Sequence, residues 1–325
     1  MSTGRRSRFI LSAVVAGAVG LTAVMPAGAA TSHGTIGVSV PTVEGPFFTS
    51  MLYGILKQAK EEGYAVKILS ANGYGNVATQ VSQIENLISG KVDIMLVDPA
   101  DPNVTKRPIQ EAVKSGIIVL GAGDPAPGAL GSVSASHCTV GQDLAVGAKK
   151  LLPDGGTVGV LAGPAGAHWS TERLRCFKED LKGTKIKIVA ERTSEPAVAE
   201  GLSIASDFLQ RFPDLDMLYG ADDTVGDGAA KAVEAANRCG KTKVLTAVLG
   251  EQAEELTRKG CINYDVALQP VLMGVDAVKL GIAIRNGKKP AVTEISIPNL
   301  PVTPENIDSV NKEYTRSPKG WRPPL

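Results

Sequence analysis

Val92-Asp93-Ile94-Met95-Leu96-Val97-Asp98-Pro99-Ala100-Asp101-Pro102 is an apolar run that stops at an acid and a proline. No polar residue interrupts Ile94 to Val97, so a strand over Asp93 to Val97 is buried on both faces, as in a parallel sheet covered by helices. Proline does not continue a central strand, so the chain leaves the sheet at Asp98. Before this run, Val77, Val81, Ile84 and Ile88 recur at helical spacing. After it, a helix ends near Gly116 and a strand follows over Ile117 to Leu120. Further out lie strands at Thr35 to Val40, Ala65 to Ser70 and Ser132 to Ser136. Phe47/Phe48, Met51/Leu52, Ile55/Leu56 and Ala59 form a helical pattern between the first two.

The alternation then begins again. Thr157 to Leu161, Lys185 to Ala190, Asp216 to Tyr219, Lys243 to Val248 and Ile262 to Ala267 read as strands separated by helices, one of them carrying Leu174, Phe177 and Leu181 inward. Thr35-Ile36-Gly37-Val38 and Thr157-Val158-Gly159-Val160 open the two halves alike. The fold class is therefore α/β, with two doubly wound parallel-sheet lobes in place of one very long sheet. A helix over Val271 to Ile284 follows the last strand with little linker, so the chain is expected to re-enter the first lobe. Lobe one is then residues 31–135 plus 268–297, and lobe two 136–267 plus 298–325.

The length of 325 residues, with 43% hydrophobic and 21% charged, suits about two domains. Lys plus Arg number 34 against 33 Asp plus Glu, with no basic stripe, which speaks against nucleic acid or an anionic membrane as partner. Arg5, Arg6 and Arg8 precede an apolar run from Phe9 to Met25, and Ala27-Gly28-Ala29 supplies small residues for cleavage. Residues 1–29 thus read as a secretory signal, and the mature protein is expected in the periplasm or another extracytoplasmic space. Cys138, Cys176, Cys239 and Cys261 form an even set in an exported chain, where disulfides persist. Three pairings exist; the local one, Cys138 with Cys176 and Cys239 with Cys261, is the simplest. No C-x-x-C or Cys/His cluster at zinc spacing occurs, so no metal is expected.

In open α/β sheets ligands sit beyond the carboxyl ends of strands. The loops there carry Glu44, Phe47 and Phe48, then Asp98, then Asp124 after Gly121-Ala122-Gly123. The second half offers His137, His168 and Trp169 after a Gly-rich turn, Asp222, Glu251 and Gln269. Carboxylates accept from hydroxyls or amines and flat rings cover apolar ligand faces, so a small neutral or weakly cationic ligand is expected. Blander roles compete: one of the two phenylalanines as core, Asp222 as a helix cap, Asp98 as a turn former. No nucleophile elbow, phosphate loop, zinc-protease or dinucleotide motif is present, so neither catalysis nor a cofactor is expected.

The residues that carry a family resemblance are Phe47-Phe48, Gln83 to Ile88, Val92 to Pro99, Ala112-Val113 through Gly116 to Val119, Gly163 to Phe177, and Tyr219-Gly220-Ala221-Asp222-Asp223. On these the chain resembles type I periplasmic binding proteins of the sugar-binding group, over roughly residues 34 to 300. The resemblance implies a monomer that captures a small molecule between two lobes closing on a three-segment hinge, then delivers it to an ABC permease. Alternatively, it presents the ligand to a membrane histidine kinase. By the same resemblance Phe48 matches a ring-stacking position, Asp222 a ligand-binding Asn or Asp, and Gln269 lies close to a hinge glutamine. Arg173 matches an arginine of the same helix, while Thr171 stands where the family carries its ligand-binding arginine. Ala247-Val248-Leu249-Gly250 lacks the family's strand-end Asp, and Gly121-Ala122-Gly123-Asp124 replaces its Leu-Asp-Arg.

Overall fold

The computed structural model describes Met1 and residues 33–324, so the leader read at residues 1–29 lies, Met1 apart, outside the described residues. The first half alternates β1 (Thr35–Val40), α1 (Gly45–Glu61), β2 (Ala65–Ser70), α2 (Val77–Ser89), β3 (Ile94–Val97), α3 (Pro102–Lys114), β4 (Ile118–Gly123) and β5 (Ser132–Ala135). The second begins with α4 (His137–Leu151), β6 (Gly156–Leu161), α5 (His168–Asp180), β7 (Ile186–Arg192), α6 (Val198–Arg211) and β8 (Met217–Gly220). It continues with α7 (Asp223–Ala235), β9 (Lys243–Val248), α8 (Glu251–Arg258), β10 (Tyr264–Ala267) and α9 (Pro270–Arg285). The chain ends with β11 (Glu294–Ile297), β12 (Leu300–Val302) and α10 (Lys312–Thr315).

Two six-stranded sheets result, in the orders β2-β1-β3-β4-β5-β11 and β7-β6-β8-β9-β10-β12. Every pairing is parallel except β12 on β10. The fully buried β3 and β8 explain why their sequences show no polar alternation. The chain passes between the sheets three times: from β5 into α4, from β10 into α9, and from β11 to β12. Helix α9 returns to pack on α1 at very close range. A Cβ on Gly54 would meet the Val271 carbonyl at 2.2 Å, and one on Gly274 the Met51 carbonyl at 2.2 Å, so only glycine permits this crossing.

The structure adds to the sequence reading and corrects it in places. The last strand of the second half starts at Tyr264, not Ile262, because Cys261 and Ile262 turn off α8 through bonds to the Leu256 carbonyl. The edge strands β11 and β12 had no sequence forecast; they are short, and β12 contains Pro301. The tail is shared between the lobes. Lys312 and Arg316 bond Glu254 of α8 and Lys319 pairs with Glu251, while the Ser317 N–H donates to Ser50 Oγ and Trp321 packs edge-on against Tyr53, both on α1. Cys138 bonds Cys176 and Cys239 bonds Cys261, the local pairing. Among the described residues no helix is long and apolar enough to cross a membrane.

Candidate ligand-binding site

The carboxyl ends of β1, β3 and β4 face those of β6, β8 and β9 across a small cavity of about 50 Å³. From the first sheet, Thr42, Glu44, Phe47, Phe48, Asp98 and Asp124 reach it. From the second come His137, Trp169, Arg173 and Asp222. Pro102 follows Asp101, whose side chain caps α3, so the break after β3 leaves Asp98 at the strand end with its side chain free of any capping duty. Gly123 has φ 95, and a Cβ there would lie 2.3 Å from Asp98 Oδ2 and 3.2 Å from the Phe47 ring. Glycine at this place lets the two acids stand side by side.

The aromatic wall is continuous. Phe47 and Phe48 pack edge-to-face with centroids 5.3 Å apart, Phe48 leans on Tyr74 at 6.4 Å, and Tyr74 on Trp169 at 6.0 Å. Trp169 Nε1 donates to the Tyr74 hydroxyl at 2.9 Å, joining the two lobes. Arg173 stacks over the Trp169 ring at 4.8 Å and donates from Nη1 to the Ala221 carbonyl at 2.8 Å. It is held there because α4 and α5 touch: a Cβ on Gly141 would be 2.1 Å from the Arg173 carbonyl, and the Cys138–Cys176 bond clamps the same pair of helices.

Asp124 is the second interlobe contact. Its Oδ1 lies 2.6 Å from His168 Nδ1 and 3.3 Å from His137 Nε2, while Oδ2 is buried without a partner. Burial works to raise this carboxyl, yet the two histidines outweigh it and hold it below the usual range. The bond to Asp124 raises His168, whereas burial lowers His137. Asp98, also with a buried unpaired oxygen, is pushed well up by burial and then by Asp124. Asp222 caps α7, accepting from the Val225 N–H at 2.9 Å and from Thr224 Oγ1 at 2.7 Å; burial raises it and Arg173 opposes. Val248, a β-branched residue at φ 100, lines the wall and stores strain.

Asp124, His137 and His168 bring their ligand atoms within 4.8 Å of one another, the right chemistry for a small divalent ion. However, Arg173 Nη2 stands 3.5 Å from His137 Nδ1, where a metal-bound imidazole needs an acceptor behind it. The set therefore reads as a hydrogen-bonded ion pair between lobes.

Of the residues expected from sequence, Glu44, Phe47, Phe48, Asp98, Asp124, His137, Trp169 and Asp222 line the cavity, and His168 sits behind it on Asp124. Glu251 and Gln269 do not. Glu251 turns outward to Lys319, and Gln269 Nε2 donates to the Pro298 carbonyl at the crossing between lobes. Tyr74, Arg173 and Pro196 were not expected from sequence. An aromatic among Asn72, Gly73, Gly75 and Asn76 just past β2 was the available signal for Tyr74, since that loop also lies at a strand's carboxyl end.

Residues 36–289 match the family described as periplasmic binding protein domain. The chain is 31% identical to the ribose import binding protein RbsB of Bacillus subtilis, over 78% of this chain and 83% of that one. It is 29% identical to the D-allose-binding periplasmic protein of Escherichia coli, over 77% and 85%. In structure it resembles an ABC transporter solute-binding protein of Burkholderia graminis in complex with D-arabinose. The TM-score is 0.81 at 26% identity, covering 86% of this chain and 99% of that one. This chain belongs to the periplasmic binding protein family and has the two-lobed fold of its type I, sugar-binding members.

Proposed function

We propose that this protein captures a small hydroxylated solute, a sugar or polyol, between its two lobes and hands it to an ABC permease without chemically altering it. The observation that carries this reading is the pair of strand-end carboxylates, Asp98 and Asp124, each with a buried unpaired oxygen, opposite a ring wall assembled from both lobes. Hydroxyl groups donate to such oxygens, and the CH faces of a sugar or polyol lie flat on rings. Neither histidine at the site has a nucleophile beside it, which fits capture without turnover.

The mobile bodies are residues 31–135 with 268–297, and 136–267 with β12. Trp169 with Tyr74, and His168 with Asp124, are the contacts that part when the lobes open. Because about 50 Å³ is far below the roughly 300 Å³ of a typical ligand pocket, a sugar enters the parted form and is then enclosed by partial closure. The protein works as a monomer outside the cytoplasm, after export behind residues 1–29. Calorimetric titration of the mature protein with pentoses, hexoses, inositols and linear polyols tests the reading. At least one class should bind with no product formed; failure of all of them, or turnover of any, would sink it.

A further inference from the structure

The hydrogen bonding around the cavity does not close. Arg173 bonds the Ala221 carbonyl and its charge opposes the rise of Asp222, and His168 is matched by Asp124 at 2.6 Å. His137 is driven toward its neutral form by burial, and Arg173 Nη2 beside its Nδ1 disfavours a proton on that nitrogen. Asp223 is likewise pushed toward its neutral form by burial and by Asp222. Glu44 lies at the exposed rim. That leaves Asp98, 3% exposed, with Oδ1 lacking any hydrogen-bond partner among the described residues. Beside it Asp124, 1% exposed, has Oδ2 in the same condition. Two adjacent buried carboxyl groups with unmet acceptors call for a donor that reaches both and lets both ionise, which a charged amine does and a neutral hydroxyl does not. The neighbouring surface is aromatic, which attracts cations to ring faces.

Resting on the capture reading above, we propose that the solute is a monocation, an amino polyol or amino sugar, whose protonated amine sits between Asp98 and Asp124 while its carbon skeleton lies along Phe47, Phe48 and Trp169. An ammonium group donates three hydrogen bonds, enough to satisfy both orphaned oxygens, and its charge balances Asp98. Burial and Asp124 both press Asp98 to keep a proton, and the amine takes that proton's place. His168 is taken up by Asp124 behind the cavity, and Arg173 is stacked on Trp169 and bonded to the Ala221 carbonyl.

The test is calorimetry on the mature protein with matched pairs that differ only in the amine: serinol against glycerol, and D-glucosamine against D-glucose. The amine member should bind roughly 10- to 100-fold more tightly, the range for hydrogen bonds to charged groups. In Asp98→Asn, nearly the same shape without the charge, that ratio should fall close to one while an unchanged thermal melt confirms folding. Equal affinity within pairs, a preference for the neutral member, or a ratio that survives Asp98→Asn overturns the proposal. Tight binding confined to neutral sugars would do so while leaving the capture reading intact. Silence from every amine and every neutral compound overturns both.

Discussion

The two lobes repeat one strand order, yet they are stabilised and charged in different ways. In the first lobe the sixth strand, β11, runs parallel to β5; in the second, β12 runs antiparallel to β10. Both disulfides lie in the second lobe, one clamping α4 to α5 behind Arg173 and the other joining the turns after α7 and α8. The second lobe also buries Asp227 and Asp265 away from the cavity, with burial raising Asp227 to about 8 and Asp265 to about 7. The first lobe's buried acids with unpaired oxygens, Asp98 and Asp124, both line the cavity. One plan thus carries two duties: the first lobe presents acceptors, while the second holds a guanidinium and an indole in place by covalent and close-packed means. Parallel strands set where the loops start, and the loops differ because nothing in the sheet constrains their chemistry.

Removing the clamps should break that asymmetry most strongly. Cys138→Ser/Cys176→Ser and Cys239→Ser/Cys261→Ser open loops of 38 and 22 residues, each costing about 3 to 4 kcal/mol in urea unfolding. Only the first pair should also weaken ligand binding, since only it holds Arg173 and His137. An equal effect of both on affinity would remove the distinction between clamp and site.

Asp265 and Asp227 should give the molecule an inverted pH profile. Their folded-state values are raised, so their contribution is fully present below pH ~4 and is lost as pH climbs through about 7 for Asp265 and about 8 for Asp227. Asp265→Asn should therefore gain on the order of 2 to 3 kcal/mol over the parent at pH 8 and little at pH 4.5. A parent whose urea midpoint does not move between pH 5 and 9 would mean these acids are solvated.

Trp169 joins the lobes and lines the cavity. Trp169→Ala should cost roughly 1 to 3 kcal/mol of binding, and Trp169→Phe should keep most of the affinity while losing the emission shift on titration. Unchanged affinity in the Ala variant would reassign the indole to packing alone. The smallest effect compares two caps. Asp101 starts α3 in the first lobe and Asp222 starts α7 in the second, each accepting from backbone N–H groups. Replacing either with Ala should cost about 1 kcal/mol of stability. Affinity should fall for Asp222→Ala only, because that side chain also lines the cavity.

Much of this was legible before any coordinates. Apolar runs without alternation located the central strands to within one to three residues, since burial on both faces leaves a mark in composition; the largest miss is β4, which runs on to Gly123 where the glycines suggested a loop. The edge strands left none: in β11 only Ile297 is buried, and Glu294 and Ser296 face solvent. Placing acids and rings at strand ends picked out Phe48, Asp98, Asp124 and Trp169, all of which line the cavity. The same rule would have found Tyr74 had every loop been read. It could not separate Glu251 and Gln269 from the cavity lining, because both stand at strand ends and only their side-chain directions turn them away from it. Arg173 lies one turn inside α5, where helical spacing marks it as core.

The local pattern of apolar residues, prolines and glycines by itself determined the alternating elements, their parallel pairing and the end of each sheet at which ligand chemistry collects. Those depend on burial and backbone geometry over a few residues at a time. Only the tertiary structure decided which groups meet. Trp169 reaches Tyr74 across 95 positions of chain and His168 reaches Asp124 across 44, each through a hydrogen bond between lobes. Such partners depend on how two separately folded sheets approach and which way each side chain leans, and no short-range periodicity encodes either.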